Sequence, residues 1–143
     1  AYAKARDNTH PMSAPPPRPV HTVSQRFFFD AAHTLRRKVE AEGSARVHGH
    51  TYEAEVFFSG QAHPQTGMVV DLGWVRQRVA QVRELLDHRL LDEVPDLGTP
   101  TIENLCSFIA QQFAAFHAPD SNARLTRVRV WRQGIGDACQ LAL

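Results

Sequence analysis

The segment "HGHTYEAEVFFSG", residues 48–60, most restricts what this chain can become. Tyr52, Ala54 and Val56 fall on one parity, and Thr51, Glu53 and Glu55 on the other. A period of two is the signature of a strand with one face on a core and one face toward water. Such a strand needs an antiparallel sheet and a layer to cover its apolar face. The stretch "VSQRFFFDAAH", from Val23 to His33, is rich in β-formers and reads as the strand before it. "MVVDL" leads to Asp71, a good helix N-cap, after which Leu72, Val75, Val79, Val82 and Leu86 recur at helical spacing. Ile102, Cys106, Ile109, Phe113 and Phe116 form a second apolar stripe, with Thr99 and Pro100 suited to its N-cap and first helical position. "LTRVRVWRQG" reads as a third strand, and "DACQLAL" as a fourth that pairs with it across a Gly-rich turn. The expected order is β-β-α-α-β-β: an α+β fold with a four-stranded antiparallel sheet and two helices on one face. Open edges on so small a sheet favour joining between subunits.

A length of 143 residues suits one domain, expected over residues 21–143. Residues 1–20 carry Pro11, Pro15, Pro16, Pro17 and Pro19 and almost no apolar periodicity, so they read as an extended or disordered arm. Met12 offers a start of translation within it. The net charge of +1 gives no push toward nucleic acid or an acidic membrane surface. No apolar run is long enough to span a bilayer, and the N-terminal stretch lacks the apolar segment of a secretory signal. Two cysteines, Cys106 and Cys139, make no disulfide framework, so a cytoplasmic location is expected.

His48 and His50 stand two apart and so project from the same face of their strand, with Gly49 turned away. His33, at the end of the preceding strand, meets them if the two strands pair. Three imidazoles leave a tetrahedral zinc ion one open position, the arrangement of a catalytic rather than a structural site. The bland alternative is a histidine pair on a solvated strand. Asp87-His88, in "LDHRLL", places a carboxylate beside an imidazole, which can fix the tautomer and raise the basicity of a general acid/base. Neighbours on a helix do not face each other, so the pair works only if the helix has ended there. Otherwise it is a charged helix end.

The segments "FFFDAAHTL", "HGHTYEAEVFFSG", "GMVVDL", "LDHRLL", "PTIENL" and "VRVW" occur in this order from residue 23 to about residue 140. Together they resemble the 6-pyruvoyl-tetrahydropterin synthase and 6-carboxy-tetrahydropterin synthase family. The resemblance implies the tunnelling fold, in which each subunit adds a four-stranded sheet to a barrel shared by a trimer, and two trimers usually stack into a hexamer. It implies sites between subunits, zinc on His33, His48 and His50, an acid/base pair in Asp87 and His88, and a dihydroneopterin-type substrate. It also points to Thr101 and Glu103, in "PTIENL", as substrate contacts.

Two positions depart from the family pattern. Its catalytic cysteine commonly precedes the "HGH" by four residues, and here that residue is Ser44, whose unactivated hydroxyl is no base near neutral pH. Glu40 and Glu42 are nearby carboxylates, and Cys106 lies on the apolar stripe of a helix. The family's late strand normally continues into Glu-Thr, where the glutamate grips the pterin ring. Here Arg132 and Gln133 follow Trp131. Arginine offers only donors, so it would face the ring's donors unpaired unless Gln133 or Asp137 supplies an acceptor. Three readings follow: a zinc lyase acting on a dihydroneopterin derivative, a zinc enzyme with a more anionic substrate held by Arg132, and a non-catalytic ligand-binding member of the fold.

Overall fold

A computed structural model describes residues 2–6, 11, 13–14 and 16–143. Part of the expected N-terminal arm, including Met12, lies outside the described residues. Four strands, β1 (Val20–His33), β2 (His48–Gln61), β3 (Arg124–Arg132) and β4 (Asp137–Ala142), form one antiparallel sheet in the order β1-β2-β3-β4. Three α-helices, α1 (Ala41–Ala45), α2 (Leu72–Leu86) and α3 (Ile102–Ala114), complete the chain with a 3-10 turn at Leu91–Glu93. The expected β-β-α-α-β-β order holds for the long elements. The short α1, inside the β1–β2 connection, has too few residues to leave a periodic signal.

Both long helices lie on one face of the sheet: α2 packs over β1, and α3 over β3 and β4. The core between the layers joins Phe27, Phe29, Tyr52, Ala54 and Val56 of the sheet to Val75, Val82, Leu105, Ile109 and Phe113 of the helices. The alternation in β2 sends Tyr52, Ala54 and Val56 inward, all at 0% exposure. Glu55, on the other face, is buried as well. Its carboxylate accepts from Ser24 Oγ at 2.7 Å and pairs with Arg26 Nε at 3.3 Å. That face also carries Arg26 and Arg129 stacked on Trp131 and Arg127 stacked on Phe57.

The helix starts are set by side chains that accept otherwise unpaired backbone donors. Asp71 caps α2 by accepting from Gly73 N at 2.8 Å. The cap of α3 is Thr101, which accepts from Asn104 N at 3.1 Å, rather than Thr99. Pro100 therefore precedes the helix, and its carbonyl is released for another partner.

Candidate metal centre and its cavity

The β1–β2 register brings the histidines together. His33 stands directly opposite His48, and Ala31 opposite His50, so all three imidazoles rise from adjacent positions on one face. His33 Nε2 lies 2.9 Å from His48 Nε2 and 3.0 Å from His50 Nε2. The outer nitrogens are held by the backbone: His33 Nδ1 donates to the Pro100 carbonyl at 2.9 Å, and His48 Nδ1 to the Arg46 carbonyl at 2.7 Å. A carbonyl only accepts, so both protons sit on Nδ1. The two Nε2 lone pairs then face each other across 2.9 Å with no proton between them. That is unfavourable for two bare imidazoles and suits a cation between them. Bonds of about 2.0–2.1 Å to a tetrahedral ion put nitrogens about 3.3 Å apart, close to the spacing seen. The carbonyls that hold the outer nitrogens are the supports that metal-bound histidines require. The trio could therefore hold a metal.

Burial and charge favour the neutral form of His50 and His33. His50 is lowered to about 4, first by burial and then by the Arg132 guanidinium, and burial also lowers His33. The Tyr52 hydroxyl, 3.2 Å from His33 Nδ1, is pushed up to about 12 by burial, so it stays a phenol behind the cluster.

Two hollows flank the histidines. The larger, of about 1000 Å³, is bordered by His33, Arg37, Thr101, Glu103, Arg132 and Asp137. The smaller, of about 260 Å³, is bordered by Glu40, Ser44, His48 and His50, and shares Arg37, Arg132 and Asp137 with the first. The structure thus brings Thr101, Glu103 and Arg132 to the cavity that His33 borders. Gln133 is exposed on the β3–β4 turn, outside both hollows.

Ser44 is buried, and its hydroxyl is engaged with backbone. It donates to the Ala41 carbonyl at 3.0 Å and accepts from Arg37 N at 3.3 Å, holding the α1 turn against the loop. Glu40, which precedes that turn in the left-handed region at φ 58°, borders the histidine hollow, whereas Glu42 pairs with Arg46 at 2.9 Å on the exterior. Arg132 is not a solvated strand end: it is 5% exposed, with Nη2 on Asp137 and Nη1 3.4 Å from His50 Nε2.

Helix α2 ends at Asp87, so the condition for an Asp87–His88 pair is met. His88 turns into the left-handed region at φ 57°, and its Nδ1 lies 2.9 Å from Asp87 Oδ2. Asp30 N donates to Asp87 Oδ1 at 2.9 Å, and this bond, with His88 and Arg83, holds the carboxyl below its ordinary value despite burial. His88, its side chain 79% exposed, borders a separate open hollow that also touches Gly49 and His50. Arg36, Arg37 and Asp92 escaped the sequence reading. They lie in a 34–47 connection and a 3-10 turn without periodicity, and only the fold draws them to the cavity.

A sequence model described as 6-pyruvoyl tetrahydropterin synthase matches residues 22–140. A Pyrococcus furiosus dihydroneopterin monophosphate aldolase is 33% identical over 109 residues, 76% of this chain and 87% of that one. Human 6-pyruvoyl tetrahydrobiopterin synthase is 31% identical over 101 residues, 61% of this chain and 70% of that one. The solved Caenorhabditis elegans 6-pyruvoyl tetrahydropterin synthase superposes with a TM-score of 0.73 at 23% identity, covering 88% of this chain and 97% of that one.

Proposed function

This chain belongs to the 6-pyruvoyl tetrahydropterin synthase family, and from that premise we propose that it is a zinc-dependent lyase or synthase-like enzyme acting on a dihydroneopterin-type small molecule. Two relatives support the substrate class by their names, one an aldolase on dihydroneopterin monophosphate and one a tetrahydrobiopterin synthase. The observation that carries the reading is the convergence of three Nε2 atoms beside a cavity large enough for a bicyclic ligand, with two of the outer nitrogens held by carbonyls.

His33, His48 and His50 would hold the zinc. Bound there, zinc would supply Lewis acidity that lowers the pKa of substrate hydroxyls. The chain's own residues then handle protons. Asp87 holds His88 by its Nδ1, which leaves Nε2 free to take or return one. Glu40 and Asp137 are the carboxylates that share the hollow with His48 and His50; Asp137 is engaged by Arg132, so Glu40 is the candidate base where the family commonly has a cysteine. Ser44 is assigned the hold on α1. Thr101 and Glu103 border the space for the ring. His88 opens onto the exterior of its own subunit, which suits a site completed between subunits of a trimer or hexamer.

The test is zinc content together with release of triphosphate and acetaldehyde from 7,8-dihydroneopterin triphosphate. One zinc per chain with turnover, and a loss of about 10²-fold or more in kcat for both His88→Ala and Glu40→Gln, is expected. Full zinc loading without release of either product would overturn the substrate assignment.

A further inference from the structure

Cys106 and Cys139 take no part in the chemistry above, and the fold brings them together across thirty-three residues of chain. Cys106 lies on the buried face of α3 at 1% exposure, and α3 packs over β3 and β4. Cys139 stands opposite the buried Val130 in the β3–β4 register and so turns toward the same helix. Cys106 Sγ lies 3.6 Å from the Cys139 carbonyl and 3.9 Å from that of Val128. Burial pushes the Cys106 thiol up to about 12, and the charge and hydrogen bond of the adjoining Cys139 thiol push the same way. Cys106 therefore stays a thiol, whereas Cys139 is only half-buried and can be reached from outside.

We propose that Cys106 and Cys139 are an oxidation site for a small disulfide such as glutathione disulfide, which joins them in a bridge between α3 and β4. The Cys139 thiolate attacks one sulfur of the oxidant, forms a mixed disulfide and releases one glutathione thiolate. Cys106 then gives up its proton, attacks the Cys139 sulfur and releases the second glutathione. The two chain thiols lose two electrons and two protons, and the oxidant gains both as two glutathione thiols. Because burial holds Cys106 protonated, the second step is the slow one. The bridge bears on the larger cavity. Glu103 lies one turn before Cys106 and Asp137 two residues before Cys139, and both border that cavity, so the bridge fastens one wall of it to another. The inference stands apart from the pterin reading.

The experiment is incubation of the reduced full chain with excess glutathione disulfide at mildly alkaline pH, read by intact mass and by peptide mapping without reductant. The expected end state is a single chain lighter by two hydrogens, with the Cys106 and Cys139 peptides linked and no glutathione retained. In Cys106→Ala the reaction is expected to stop with glutathione on Cys139, and in Cys139→Ala the buried Cys106 is expected to stay free. A folded wild-type chain that keeps both thiols free, retains glutathione on Cys139 or links to a second chain overturns the proposal. These wild-type readouts decide even where a variant fails to fold. The bridged chain is also expected to unfold at a higher urea concentration than the reduced one, a gain that reductant abolishes. Equal midpoints overturn the fastening of α3 to β4.

Discussion

Ser44 and Asp87 show how a single side chain is given its task by its surroundings. The Ser44 hydroxyl bridges Arg37 N and the Ala41 carbonyl, so its removal leaves a donor and an acceptor short of a partner. Ser44→Ala is expected to cost about 1 kcal/mol of unfolding free energy, measured by urea titration. A neutral result would contradict the structural assignment. Asp87 is lowered below the ordinary carboxylate value, chiefly by the Asp30 N–H. A carboxyl that ionises more readily folded than unfolded stabilises above the ordinary range, and that contribution fades as pH falls through the lowered value. The stability gap between wild type and Asp87→Asn should therefore be widest near neutrality and shrink below about pH 4. A gap that stays flat across the acid range would show that the carboxylate charge is not the cause.

At the scale of elements, the start of α3 and the histidine cluster are mechanically linked. Thr101 caps the helix, and the adjacent Pro100 carbonyl holds His33 Nδ1. Thr101→Ala is expected to lose about 1 kcal/mol of stability and to loosen zinc by up to about tenfold, read by competition with a chromogenic chelator. Loss of stability with zinc affinity unchanged would separate the two roles. Deeper in the same helix, Ile109 is 0% exposed against the sheet. Ile109→Ala should cost about 2–5 kcal/mol, since truncation there removes contacts and leaves a cavity.

For the molecule as a whole, the sheet has two unclosed edges, β1 with fourteen residues and β4 with six. Unpaired edges of this length are liabilities that proteins cover or close. The face away from the helices, with Phe28 at 53% exposure amid arginine–aromatic stacks, has no covering layer among the described residues. Both features would be met by curling several sheets into a shared barrel. Light scattering is expected to give a mass of about 48 or 96 kDa, three or six times the 16.0 kDa chain. A stable 16.0 kDa species at micromolar concentration would rule out this assembly.

Periodicity is local, and what depends on it was readable from the amino-acid sequence alone. The alternation of β2, the stripe and Asp71 cap of α2, and the meeting of His33 with His48 and His50 all follow from spacing plus one antiparallel pairing. Side-chain surroundings are not local, and these only the tertiary structure decided. Arg132 is buried because the β3–β4 turn returns Asp137 to it and the histidine cluster stands beside it. The Ser44 hydroxyl is engaged because the connection between β1 and β2 folds back on itself. The expected cap at Thr99 moved to Thr101, which left Pro100 outside the helix with its carbonyl on a histidine sixty-seven residues away. In each case the deciding partner is distant in sequence or sits in an aperiodic loop, where residue type alone carries no record of what will be packed against it.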